Sequence, residues 1–403
     1  MTLNGDYLSN STLNGVRHFL FFVVPIINVR EVNRGIHRKR GENEMKVFKK
    51  LLSLALVCAM TLLLFVGCAD RTQTSSDEPA SVVDETQSME ETTIRLVDHL
   101  GRTVELPTPA QRVIGTHNPS MNMVVVLDGN GSRFAGFGNK DMAYGLYDLV
   151  APEINEVTQI GKGKNINMET VMTVNPDLIV MPVRFKDMID QLAEIGVPSI
   201  ALDVEKFDSI KDGLILVGKA IGQDERAEEL VTFFDKKISE ISAVAEKVTE
   251  KPTVLMLSGS SKTSVSTDKM LQNLMVDTAG GVNVTAGFQA EELWTEVNIE
   301  QIIAWNPEVV YIPVYADYTV EDILKDPQWA SISAIQNKKV FQFPSKLEPW
   351  DYPVAASLLG LCWTCYNLHP EHYSFEELME DANEFYQIVY GQTFTAEQLG
   401  ISK

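Results

Sequence analysis

Apolar positions along this chain keep two different rhythms. Residues 167–182 read NMETVMTVNPDLIVMP, and residues 298–313 read NIEQIIAWNPEVVYIP, the same pattern 131 residues further on. Each copy opens with an Asn able to cap a helix and a Glu in the first turn, where a carboxylate meets the positive helix end. An apolar helix follows and an Asn-Pro break stops it. Four apolar residues, LIVM or VVYI, then read as a strand buried on both faces, closed by a second Pro. Between the copies the rhythm changes. Leu230, Phe233, Phe234, Ile238, Ile241, Val244, Ala245 and Val248 recur at three- and four-residue steps, with neither Gly nor Pro among them. That spacing predicts one amphipathic helix of about 25 residues, roughly 37 Å long. Two copies flanking one long helix predict an α/β chain of two Rossmann-like lobes with central parallel sheets.

The remaining pattern fills in the lobes. Residues 94–107 alternate around Leu-Gly-Arg and read as a hairpin, while RVIGT (112–116), RFAGF (133–137) and PSIALD (198–203) read as strands. Ser120 is placed to cap the helix MNMVVVLDG, and MIDQLAEIG is a short helix. TVLML (253–257) begins the second lobe. It continues through SVST, a helix ending at Ala279-Gly280-Gly281, the strand KVFQF (339–343) and two final helices near 354–368 and 374–390. The expected organisation is a first binding lobe over 94–223, an interlobe helix over 224–250 and a second binding lobe over 251–403.

The amino-terminal residues change the picture. Residues 45–68, MKVFKKLLSLALVCAMTLLLFVGC, place lysines before a long apolar run and Gly67 before Cys68. They read as a secretory signal resembling the bacterial lipobox, in which Cys68 is lipidated and becomes the first mature residue. An uncleaved membrane anchor is the alternative reading. Residues 1–44 then precede a complete signal peptide and are expected to reflect a misassigned start ahead of Met45. Residues 69–93, rich in Ser, Thr, Asp and Glu, are expected to form a disordered acidic tether.

Charge and rare residue types narrow the chemistry. The net charge is −21, and nine basic against four acidic residues precede Cys68, so the exported part is more acidic still. Such a surface excludes nucleic acid as a natural partner. Beyond Cys68 only Cys362 and Cys365 remain, within AASLLGLCWTCYNL, readable as a redox pair or as packing cysteines of a buried helix. His99, His117, His369 and His372 are too few and too scattered for a bare metal site.

DHLGRTVELP, RVIGTHNPSMNMVVVLDG, NMETVMTVNPDLIVM, IGVPSIALD, DTAGGVNV and EPWDYPVAASLLGLCWTCYNLHPE, in this order behind a lipobox, resemble the substrate-binding lipoproteins of bacterial ABC importers. The branch is the one with a single rigid helix between lobes, which takes up ferric siderophores, haem and vitamin B12. The resemblance implies a non-enzymatic monomer without a covalently bound cofactor, anchored by lipid to the outer face of the cell membrane. It would capture an anionic metal chelate, a ferric siderophore foremost, and deliver it to a permease dimer with its ATPase subunits. The matching positions imply that Glu169 and Glu300 dock the two lobes on the permease. The ligand belongs between the lobes, at loops after strand ends. Candidates there are His117, Asn118, Tyr144, Arg184, Lys262, Trp294, Tyr315, Trp350, Asp351 and Tyr352, with Lys140 and Lys164 as weaker ones. Arg184 stands out because its planar fork suits carboxylates and oxyanions. A molybdate-type oxyanion is the rival ligand, and a two-lobed chelatase-like enzyme is the rival class. Replacing Cys68 by Ala is expected to leave the protein unprocessed or shed from the membrane, which fractionation and mass spectrometry of the amino terminus would read directly.

Overall fold

The structure, a computed structural model, describes residues 93–139, 145–163, 165–288, 292–344 and 346–402. Cys68, its signal segment, the tether, Lys140, Tyr144 and Lys164 lie outside the described residues. The first described element is the antiparallel hairpin of β1 (Ile94–Val97) and β2 (Thr103–Leu106), whose alternation buries Leu96, Val104 and Leu106. Asp98 shapes its turn, accepting from the backbone N–H of Leu100 and Arg102 and pairing with the Arg102 guanidinium at 2.6 Å.

The first lobe runs β3 (Val113–Gly115), α1 (Asn118–Asp128), β4 (Phe134–Phe137), α2 (Leu146–Val150) and the small hairpin β5 (Gly161–Lys162) with β6 (Asn165–Ile166). It goes on through α3 (Met168–Val174), β7 (Leu178–Pro182), α4 (Lys186–Glu194), β8 (Ser199–Leu202) and α5 (Phe207–Ile221). After α6 (Asp224–Ala245) the second lobe runs β9 (Thr253–Met256), β10 (Ser264–Ser266), α7 (Leu271–Thr278), β11 (Val282–Asn283), β12 (Trp294–Glu296) and α8 (Ile299–Trp305). The chain then passes through β13 (Val309–Ile312), α9 (Val320–Leu324), α10 (Ser333–Gln336), β14 (Val340–Gln342), α11 (Ser357–Leu368), α12 (Phe375–Tyr390) and α13 (Ala396–Leu399). Each lobe holds a four-stranded parallel sheet, ordered β4-β3-β7-β8 in the first and β11-β9-β13-β14 in the second. Numbered by chain order within each sheet, both read 2-1-3-4. The duplicated sentence is therefore the third strand of a duplicated topology, with the helix that leads into it.

The two copies fold alike in detail. Asn167 and Asn298 cap α3 and α8 by accepting from the N–H of Thr170 and Gln301. Both helices end at an Asn in the left-handed region, Asn175 at φ 49° and Asn306 at φ 46°. Asn tolerates that conformation better than other side chains, and the following Pro forbids another helical turn. At α1 the structure differs from the sequence reading. Its cap is His117, with extended backbone, and Pro119 sits in the first turn, where a missing N–H costs nothing. Ser120 lies inside the helix, its hydroxyl 2.6 Å from His117 Nδ1. A second difference is α5, not among the predicted elements. It turns at Gly222 (φ 73°) into α6, and a side chain at Gly218 would come within 2.6 Å of Ala227 Cβ, so the two helices pack closely.

The long helix spans 22 residues, about 33 Å. Its buried stripe is Ala227, Leu230, Phe233, Phe234, Ile241 and Ala245, and one charged residue, Lys237, is buried with them. The Lys237 ammonium meets Asp381 at 2.5 Å, Glu384 at 2.9 Å and Glu240 at 3.0 Å, while Arg226 donates to the carbonyls of Ile388 and Val389 at the end of α12. These bonds fasten α6 to the second lobe, as packing on α5 fastens it to the first. Lys237→Met is expected to lower unfolding stability by about 1–3 kcal/mol in denaturant titration. The apolar stem still packs, but Asp381 keeps only the Tyr373 hydroxyl and loses its cation.

Candidate functional site

In each sheet the order reverses between the first and third strands, and loops at that switch point face the crevice where α/β sheets bind ligands. In the first lobe these are the loops after β3 and β7. The first supplies His117 and Asn118 at the start of α1, both buried, and the second supplies Arg184 in a 3₁₀ turn, its side chain exposed. In the second lobe they are the loop around Ser258 and Gly259 after β9 and the loop of Tyr315 after β13. A strap of residues 347–356 between β14 and α11 adds Asp351 and Tyr352.

Electrostatics tie several of these together. The imidazole of His117 is held well below its ordinary value by burial and then by the positive charge of Arg184, so it is neutral. Its Nε2 is buried without a hydrogen-bond partner, whereas Nδ1 meets Ser120. Burial raises the Tyr352 phenol. Arg184 opposes that rise, and Asp351 and Glu205 add to it, so charges of the first lobe are felt at a hydroxyl of the strap. Tyr352 also packs edge-on against Tyr315, ring centroids 6.0 Å apart. Asp351 is buried and pushed up to about 7 by desolvation, with the Tyr315 hydroxyl drawing it back. Glu205, after β8, is raised by burial and then by Asp203, against Arg184.

The other predicted site residues stand apart. Trp350 is buried in the core, its indole N–H donating to the Tyr386 hydroxyl at 3.0 Å, so as placed it offers no face to a ligand. Lys262 is paired with Asp326 at 2.5 Å. Trp294 lies on β12 opposite Ser266, partly buried against the core. Glu169 and Glu300 are exposed in the first turns of α3 and α8. Cys362 and Cys365 are buried free thiols, and burial pushes Cys365 up to about 12, as suits packing residues. Among the described residues no group of three His, Cys, Asp or Glu could hold a metal ion, and no helix is long and apolar enough to cross a membrane.

Sequence reasoning missed Glu205 and Glu348. Glu205 follows a strand just as the other candidates do, and the same rule would have found it. Glu348 had no local signal. It lies on the strap, buried, and Asn122 of α1 donates to its Oε2 at 3.4 Å and accepts from the backbone N–H of Ala355 at 2.9 Å. Leu347 accepts from the N–H of Leu146, so the strap is bonded to the first lobe at three points. A cavity of about 320 Å³ opens beside Arg184 on the first lobe, lined by Ile166, Met168, Phe185 and Met188 together with Lys186, Asp187 and Gln191. A larger one of about 620 Å³ lies along β14 and α11, and no predicted site residue lines it.

The periplasmic binding protein family model matches residues 124–347. The chain belongs to the periplasmic binding protein family. It is 25% identical over 374 residues to the molybdate-binding protein MolA of Haemophilus influenzae, covering 86% of this chain and 98% of that one. It is 26% identical over 187 residues to the vitamin B12-binding protein of Pectobacterium atrosepticum, covering 44% and 65%. A periplasmic solute binding protein of Veillonella parvula shares the fold, with a TM-score of 0.68 and 22% identity over 76% of this chain and 96% of that one. At this level the chain is an extracytoplasmic substrate-binding protein of an ABC transporter, from a family of binding proteins and not of enzymes.

Burial raises Glu348 to about 7 from the usual 4.5, as it raises Asp351 from 3.8. With folded values above unfolded ones, the folded state holds extra protons between them. The stability they contribute is fully present below about pH 4 and is lost as pH rises toward 7. These two carboxyls are therefore expected to erode stability from pH 5 to 8, against His117, whose lowered value adds stability as pH rises toward its ordinary value. Glu348→Gln is expected to flatten the carboxyl contribution by about 1–3 kcal/mol in denaturant titrations across the range.

Proposed function

We propose that the protein captures an anionic metal chelate, a ferric siderophore foremost and haem or a corrinoid within the same class, and hands it to a paired permease. The observation that carries this reading is Arg184, exposed and lining a cavity that mixes two cations and four apolar side chains with Asp187 and Gln191. A guanidinium beside Phe185 and two methionines suits an organic ligand with anionic groups. A bare tetrahedral oxyanion needs no apolar wall, and here it would also face Asp187 of the same cavity and the charge of Glu205, which Arg184 feels. An organic chelate can use Asp187 as an acceptor for its own N–H and O–H groups. Lipidation of Cys68, delivery as a monomer and docking through Glu169 and Glu300 complete the proposal.

Molybdate is the second reading, favoured by the relation to MolA across nearly that protein's whole length. Calorimetric titration with ferric catecholate and hydroxamate siderophores, haem, cobinamide and molybdate separates the two. A siderophore is expected to bind most tightly, and tight binding of molybdate alone would overturn the first reading. Arg184→Ala is expected to weaken the preferred ligand by about 1.5–3 kcal/mol, the worth of a charge-assisted hydrogen bond. Unchanged affinity would remove Arg184 from the site.

A further inference from the structure

Eight large apolar side chains are exposed among the described residues, and isolated ones on a surface need no explanation. Two of them, Met172 and Ile303, stand 131 residues apart, the spacing of the repeat, and so occupy the same position of α3 and α8. Met172 is 50% exposed and Ile303 38%. Each lies three residues after the exposed glutamate of its copy, which puts the pair on one face of the helix. Val171 and Ile302, 1% and 0% exposed, pin each helix to its lobe, so the face carrying glutamate and apolar side chain is held outward. Among the described residues neither Glu169 nor Glu300 has an ion-pair partner within its own lobe.

We infer that Met172 and Ile303 are apolar contact residues of a duplicated docking patch, each seated beside its glutamate against one of two like subunits of a membrane partner. The inference rests on delivery to a paired permease and adds the chemistry of the contact. The matching surface on each subunit carries a cation flanked by an apolar hollow. Charge complementarity to Glu169 and Glu300 calls for the cation, and the unburied Met and Ile side chains call for the hollow. Two equivalent patches on lobes of equal topology suit a partner with two-fold symmetry. Charge steers and orients such a contact, while an apolar group that loses water on docking supplies holding energy.

The test uses the full-length lipidated chain and the host's own importer in lipid nanodiscs, measuring complex affinity and stimulated ATPase activity. Met172→Ser with Ile303→Ser is expected to weaken the complex about tenfold or more, with ligand affinity unchanged. That loss persists at 0.5 M salt, whereas the loss caused by Glu169→Gln with Glu300→Gln shrinks there because charge contacts are screened. Leu149→Ser, removing another exposed apolar side chain, serves as control and is expected to leave the complex intact. A Met172→Ser, Ile303→Ser variant that docks as tightly as the parent would overturn the inference. A parent chain that neither binds nor stimulates the importer would instead overturn the delivery reading on which it rests.

Discussion

An α-helix that runs unbroken between two sheets cannot bend without giving up backbone hydrogen bonds, and the site depends on that constraint. The helix Asp224–Ala245 is packed on its predecessor near its start, where Arg226 donates to the last carbonyls of Phe375–Tyr390, and is bonded through Lys237, past its middle, to Asp381 and Glu384. The sheets it joins are thereby held in register, with their switch-point loops opposed. Charges of the first lobe are felt at the Tyr352 hydroxyl of the strap. Binding then draws on positions already set, with little large-scale closure to drive.

The strap of residues 347–356 is the second tie between lobes. It leaves the second lobe after β14, is bonded to Leu146 and Asn122 of the first, and returns to Ser357 of α11. Gln272 holds the carbonyl of Asp351 at 2.6 Å, and a side chain at Gly360 would come within 2.2 Å of the Trp350 carbonyl, so the strap has little room to shift. The residues that present Asp351 and Tyr352 to the cleft are thus the residues that join the lobes. Recognition and interlobe packing share one segment.

The sequence made much of this legible, and physics explains where it stopped. The repeat, its Asn caps, the buried strands and the long helix are local patterns, governed by periodicity and by what Asn and Pro do to a backbone. The likeness of the two lobes was implied by the repeat, whereas the strand order 2-1-3-4 depends on pairing between distant segments. The site is another matter. Trp350 before Asp351 and Tyr352 reads like a cleft aromatic, but the strap turns its indole into the core against the Tyr386 hydroxyl, while Tyr352 packs on Tyr315. Ser120 looked like a cap until Pro119 moved the helix start back to His117. Glu348 and Asn122 owe their roles to contact across 226 residues of chain, which no local pattern encodes.

The left-handed Asn residues that end the two repeat helices also bear on chemical ageing. An exposed Asn normally loses its amide when the next residue's backbone nitrogen attacks the side-chain carbonyl and closes a succinimide ring. Here Pro176 and Pro307 follow, and proline has no N–H to make that attack. The pairing that stops each helix thus also blocks the common route of spontaneous deamidation at Asn175 and Asn306. A protein working outside the cytoplasm, away from intracellular repair and replacement, is spared that route at both turns.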